Sequence, residues 1–380
     1  MKKLMMGLLI LFLAVPANAQ FPEISQGTLT ANDVKFAAPI NESKTGELTV
    51  ASFNVRNLGA RQRSLKNFAN LVDLVDEADV VMIQEAGLNV YYGPTVSTDQ
   101  MKRLSAVVAV LSVNLGDDWK VITAPSPTGV GSGTETTILA HRTNNAGYDI
   151  SATWDQYVDL GDKRDMAVFK LSLSKNSESK EVYVSSVHLT PKDPDRGQQM
   201  IKVSDWLLAQ DQKWAIVMGD FNWGYKKVSG IQNYLGEQRI RQLHEEEKLF
   251  QLFYEVSYLG GSDETKLRTN MGFRAGGYFY DQFVMTPVLA EKLADGGELL
   301  EDCGIFAFYI QSQYMKDAII YWKEKRQYGL DKYLKNANID PESDQQTYDK
   351  TMKDIVNQAA NDATFILSDH RVIWMQLKVW

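Results

Sequence analysis

Eight residues of two chemical types recur at one kind of position in this chain. Asn54, Glu85, Asp220, Asn222, Asp281 and Asp369 carry hard oxygen donors, and His188 and His370 are two of only four histidines. Each stands at the edge of a short apolar run. Asn54 follows Leu48 to Phe53, Glu85 follows Val80 to Ile83, and His188 follows Val182 to Val187. Asp220 and Asn222 follow Ala215 to Met218, Asp281 follows Tyr278 to Tyr280, and Asp369-His370 follows Phe365 to Leu367. A polar group at such an edge loses hydration, and a chain repeats the arrangement only where a cation or a proton partner recovers the cost. Oxygen donors without a thiolate suit Mg²⁺, Mn²⁺ or Ca²⁺ better than zinc. An imidazole beside carboxylates can hold or move a proton near neutral pH. A hard cation, imidazoles and carboxylates together are equipped to attack a phosphate ester.

Placing these groups requires strands that end on one side. Runs of four to seven residues with Val, Ile, Phe and Tyr read as buried strands. Between them, Leu65, Phe68, Leu71, Val72 and Val75 repeat at three and four, as do Met101, Leu104, Val108 and Leu111, which predicts helices. Strands alternating with helices indicate an α/β or α+β domain. From Gln311 to Lys335, and again from Pro341 to Ala360, the pattern is helical and aromatic, a helical insertion between two strands. The Gly-rich stretch Gly129 to Gly133 lacks the Lys-Ser/Thr ending of a P-loop and reads as a turn.

Composition excludes several classes. With 44% hydrophobic and 23% charged residues, the chain is too apolar for disorder. Cys303 is the single cysteine, so neither an internal disulfide nor a thiolate zinc cluster is available, and a small buried filler is expected there. Lys2 and Lys3, an apolar run from Leu4 to Val15 and Ala17-Asn18-Ala19 read as a signal peptide cleaved after Ala19. The expected product is secreted or periplasmic, without integral membrane association, because no later stretch approaches the length of a membrane span. Without Lys2 and Lys3 there remain 38 basic and 48 acidic residues, a net charge of −10. Such a charge opposes indiscriminate binding of polyanions, so a nucleic-acid substrate needs a local patch or a bridging cation.

The segments Ser52-Phe53-Asn54, Ile83-Gln84-Glu85, Ser186-Val187-His188-Leu189, Met218-Gly219-Asp220-Phe221-Asn222, Tyr280-Asp281-Gln282-Phe283 and Leu367-Ser368-Asp369-His370 occur in the order of the endonuclease/exonuclease/phosphatase superfamily. The chain resembles its deoxyribonuclease I-like members. The resemblance implies one catalytic domain over 48–380 after a lead-in at 20–47, with the insertion at 311–360. Its fold would be a four-layer α/β sandwich, two mixed β-sheets flanked by helices, with the site at one sheet edge. It implies Glu85 and Asn54 as the principal metal site, with Asp369 nearby and Mg²⁺ as the ion, Mn²⁺ or Ca²⁺ being alternatives. His370 would be the general base, oriented by Asp281, and His188 would meet the phosphate. Asp220 and Asn222 would position the nucleophile and the scissile group. Glu135 matches the family acid that orients His188, and Arg164 the family's phosphate-contacting Arg.

Three functions are then in play. The first is a secreted nuclease cutting DNA, and RNA beside it. The second is a hydrolase of lipid or inositol phosphate esters, such as a sphingomyelinase. The third is a binding module with a decayed site, which the intact set of polar residues opposes.

Overall fold

The computed structural model describes residues 40, 43–58, 72, 75–86, 98–125, 136–145, 147–161, 164–191, 195–223, 235–252, 280–294, 303–306, 370 and 372–380. The signal segment, the lead-in up to residue 39, Glu135, Asp369 and the 311–360 insertion lie outside the described residues, as does most of the helix expected over 65–75.

Two mixed sheets carry the fold. The first has the strand order β12-β13-β1-β2-β4-β3, and the second β10-β11-β9-β8-β7-β6-β5. In the first sheet β1 is Glu47–Leu58, β2 Val80–Ala86, β3 Trp119–Thr123, β4 Thr136–Arg142, β12 Cys303–Phe306 and β13 Val372–Lys378. In the second β5 is Asn144–Asn145, β6 Tyr148–Val158, β7 Met166–Lys175, β8 Glu178–His188, β9 Trp214–Asp220, β10 Phe250–Gln251 and β11 Asp281–Met285. The helices are α1 (Thr98–Leu115), α2 (Asp195–Leu208), α3 (Leu235–Glu245) and the short α4 (Pro287–Ala290).

Strand periodicity builds the layers. Along β1, Leu48 and Val50 join a core shared with Phe169, Val184, Met218 and Ile373, between the two sheets. The alternate residues Ala51, Phe53 and Val55 join Leu104, Val107 and Leu111 of α1 on the opposite face. The outer face of the second sheet packs Val168, Val187 and Val217 against Met200 and Val203 of α2 and Ile240 of α3. Period two on the strands and period 3.6 on the helices therefore give three apolar cores and four layers, helix on sheet on sheet on helix. This is the sandwich expected, and the 101–111 helix is found as α1. Cys303 is buried in the inter-sheet core, as a filler should be.

One strand expectation needs correction, and another lies outside the described residues. Tyr280 precedes β11 rather than closing a strand; the run 365–367 is not described, and His370 stands ahead of β13. Both elements run antiparallel to a neighbour that ends at the site, β11 against β9 and β13 against β1. A strand leaving the site carries its polar residue first and its apolar run, here Phe283 to Met285 or Val372 to Met375, afterwards. Four site strands fit the rule of an apolar run followed by a polar residue, and two reverse it.

Candidate active site

The pairing register brings the polar residues into rows. In the second sheet Asp220 lies opposite His188 of parallel β8 on one side and Asp281 of antiparallel β11 on the other. Neighbouring strands are spaced by about 4.8 Å, so these three side chains form one row across three strands. In the first sheet Asn54 of β1 is level with Gln84 of β2, with Glu85 the next residue.

The two rows meet at Asp220. Its Oδ2 accepts a hydrogen bond from Asn54 Nδ2 at 3.2 Å and lies 3.4 Å from His188 Nε2 and 3.6 Å from His370 Nε2. Asn54 Nδ2 also lies 3.2 Å from Glu85 Oε1, which is 3.7 Å from His188 Nε2. His370 Nδ1 bonds Asp281 Oδ2 at 2.9 Å. With the carboxylate as acceptor, the proton sits on Nδ1 and Nε2 of a neutral ring is left as the basic atom. Burial pushes the Asp220 carboxyl above its ordinary range, while His370 and His188 draw it back and Asp281 pushes it further up.

Backbone strain collects at the same place. Glu85 has φ 52° and Asn222 φ 49°, both in the left-handed region. Asn tolerates that conformation, whereas for Glu it is an outlier that surrounding structure must enforce. Around Glu85 the pairing slips in both neighbours, between Ile83 and Ala86 against β4 and between Asn54 and Leu58 against β1. That bulge re-aims the carboxylate. Gly219, at φ 127°, is obligatory, since a Cβ there would stand 2.2 Å from the Val187 carbonyl oxygen.

Two residues without an assigned role in the sequence, Gln84 and Arg196, hold this geometry. Gln84 Nε2 donates to Ser52 Oγ at 2.9 Å and to Ser186 Oγ at 2.8 Å, tying β1 and β2 to β8 directly behind the site. Arg196, buried at the start of α2, donates from Nη1 to the Asn222 carbonyl at 3.0 Å, and its Nη2 lies 3.7 Å from Glu237 of α3. The two helices approach closely enough for this because residue 236 is Gly, where a Cβ would stand 2.6 Å from the Gly197 carbonyl oxygen. Asn222 itself donates from its backbone N to Asp220 Oδ1 and from Nδ2 to the Leu189 carbonyl, both at 2.8 Å. The turn after β9 is thus braced from the helix layer. The sequence signal for Arg196 was available only as a lone basic residue on the apolar side of a helix.

The structure brings Asn54, Glu85, His188, Asp220, Asn222, Asp281 and His370 together. Arg164 joins them in a cleft with Glu85 and His188, and its Nη1 donates to the His188 carbonyl at 3.1 Å and the Leu189 carbonyl at 3.2 Å. Among the described residues no three His, Cys, Asp or Glu side chains are arranged as a ligand cage. Glu85 and Asn54 lie side by side, with Asn54 Nδ2 rather than its amide oxygen turned to the carboxylate. A single carboxylate in a polar edge suits Mg²⁺, which keeps several waters and takes one or two carboxylates with substrate phosphate oxygens.

Fold and site together define an α/β sandwich with an imidazole–carboxylate cluster at one sheet edge. No family model matches the chain, and no curated protein does. It is similar to the solved AP endonuclease LMAP from Leishmania major, at 14% identity and a TM-score of 0.48, over 95% of this chain and 96% of that one. It is also similar to truncated TDP2 from Caenorhabditis elegans, at 14% identity and a TM-score of 0.43, over 88% and 98% of the two chains. A third is an endonuclease/exonuclease/phosphatase protein from Bacteroides vulgatus, at 15% identity and a TM-score of 0.43, over 87% and 98%. Among the described residues no helix is long and apolar enough to cross a membrane.

Proposed function

We propose that this chain is a divalent-metal-dependent phosphodiester hydrolase of the endonuclease/exonuclease/phosphatase superfamily, exported by its N-terminal leader, with DNA as its substrate. The observation that carries the reading is the row His188–Asp220–Asp281 closed by His370, whose Nδ1 is fixed at 2.9 Å by Asp281. A base held in one tautomer by a carboxylate is the arrangement that activates a nucleophile.

Water attacks phosphorus in line as the P–O bond to the leaving oxygen breaks. His370 takes the water's proton at Nε2, Asp281 keeps the ring oriented and favours the imidazolium that forms, and the leaving alkoxide is protonated from solvent. His188 presents Nε2 to a non-bridging phosphate oxygen, close to Glu85. Asp220, between the two imidazoles, holds their charge and, through Asn222, the shape of the turn. Glu85 and Asn54, with Asp369 as the third donor, would hold a Mg²⁺ ion, which supplies charge stabilisation on the phosphate oxygens. Arg164 lines the same cleft as His188 and is proposed as the phosphate-contacting Arg, and Glu135 is proposed as the acid that orients His188.

The test is the mature protein assayed in parallel on plasmid DNA, RNA, sphingomyelin and phosphoinositides, with Mg²⁺, Mn²⁺, Ca²⁺ or EDTA. DNA cleavage that needs the cation is expected. Turnover undiminished in excess EDTA would overturn the metal assignment, and turnover confined to the lipid substrates would overturn the nuclease.

A further inference from the structure

The cleft that holds Glu85, Arg164 and His188 does not stop at them: Thr136, Tyr157 and Ala167 line it as well. Tyr157 comes from β6, where pairing with β7 passes from Trp154↔Phe169 to Gln156↔Val168, leaving Asp155 as an extra residue. In an unbroken strand, residues three apart point to opposite faces. The bulge puts Trp154 and Tyr157 on the same face, and their rings meet edge to face with centroids 5.7 Å apart and planes at 63°. Across from Tyr157 stands Ala167, and the Tyr157 ring, half-buried, packs against the inter-sheet core while Trp154 reaches solvent beside it.

Trp154 is 37% exposed, one of four exposed large apolar side chains among the described residues. The other three, Val110, Val113 and Leu235, sit on α1 and α3 in the outer layers. The neighbours of Trp154 along the strand, Thr153, Asp155 and Gln156, are exposed and polar, so the apolar patch has the size of a ring rather than of an acyl chain.

We infer that Trp154 and Tyr157 form a stacking subsite for a nucleobase attached to the phosphodiester at the catalytic edge. This rests on the hydrolase reading above and specifies its substrate as a base-bearing strand with at least one base unpaired. Aromatic stacking tolerates any base, because every base has a π face. The subsite therefore confers preference for single-stranded or frayed nucleic acid without sequence selectivity.

The experiment measures binding of a labelled single-stranded oligonucleotide and of an abasic strand of the same length, by fluorescence anisotropy in EDTA. Wild type, Trp154→Ala and Trp154→Phe are compared, with circular dichroism to verify the fold. The base-bearing strand should bind wild type more tightly than the abasic one. Trp154→Ala should weaken base-bearing binding about tenfold, leave abasic binding unchanged, and be largely rescued by Trp154→Phe. A wild type that binds both strands alike, or a Trp154→Ala loss equal on both, overturns the subsite, the second result placing the contact on the sugar-phosphate chain. Turnover of both strands is measured in Mg²⁺ alongside. Selective binding without any cleavage would sink the hydrolase reading and leave the subsite standing, and cleavage without base-selective binding would do the reverse.

Discussion

Asp79 and Asp220 are both buried aspartates, and burial raises both carboxyls above the ordinary range, yet the chain surrounds them differently. Asp79 immediately precedes β2, at the end of the sheet opposite Glu85. Its Oδ2 accepts the Thr49 backbone N–H at 2.7 Å and the Ser43 hydroxyl, its Oδ1 accepts Asn145 Nδ2 at 2.5 Å, and Arg142 Nε lies 3.9 Å away. Every neighbour is a donor or a cation. Asp220 shares its space with Asp281, a second carboxylate, and with two titratable imidazoles. A carboxylate that serves the fold is given donors that stay put. One that serves chemistry is set among groups whose protons can move, at a cost in stability that the rest of the fold must absorb.

The largest effect that would sharpen this contrast is at His370. Replacing it with Ala should lower kcat on a phosphodiester about 10³-fold, with the fold retained by circular dichroism, since no neighbour can replace a positioned base. A near-normal rate would remove His370 from the chemistry.

The mirror experiment is Asp79→Asn. Turning an acceptor into a donor against Asn145 and Arg142 should cost about 2–4 kcal/mol in urea unfolding, with kcat per folded molecule unchanged. A loss of kcat without a loss of stability would show that the two ends are not separable.

The smallest effect is the pH dependence of that cost. The folded protein holds the Asp79 proton more tightly than the unfolded chain, so its contribution to stability is complete below about pH 3.8 and fades as pH rises through the raised folded value. The stability gap between wild type and Asp79→Asn should therefore narrow from acid toward neutral pH, by no more than about 1.4 kcal/mol per unit. A gap that widens with pH would contradict the assignment of burial as the dominant cause.

The catalytic end was the more legible of the two in sequence. Polar residues bordering apolar runs mark it, because strands that converge on a site must carry their chemistry at their ends. The same rule misread direction at Asp281, since a run of apolar residues does not say whether the chain is entering or leaving. Asp79 was not legible: its partners Thr49, Arg142 and Asn145 are separated from it by 30, 63 and 66 positions, and only the folded register gathers them. Gln84 and Arg196 escaped for the same reason, the first because its contact with Ser186 crosses between sheets, the second because its target is a backbone carbonyl.

The most direct test of the account is Asp220→Asn, measured for hydrolysis in Mg²⁺ and for urea unfolding in EDTA. Asn keeps an acceptor for the Asn222 N–H, gives up the Oδ2 that accepts from Asn54 Nδ2, and removes one of two neighbouring buried carboxyls, the relief of that crowding being the larger effect. The account predicts phosphodiester hydrolysis reduced about 10³-fold together with an unfolding midpoint equal to or above that of wild type. Retained hydrolysis, or activity lost only in step with stability, would contradict the claim that this carboxylate is placed for chemistry rather than for the fold.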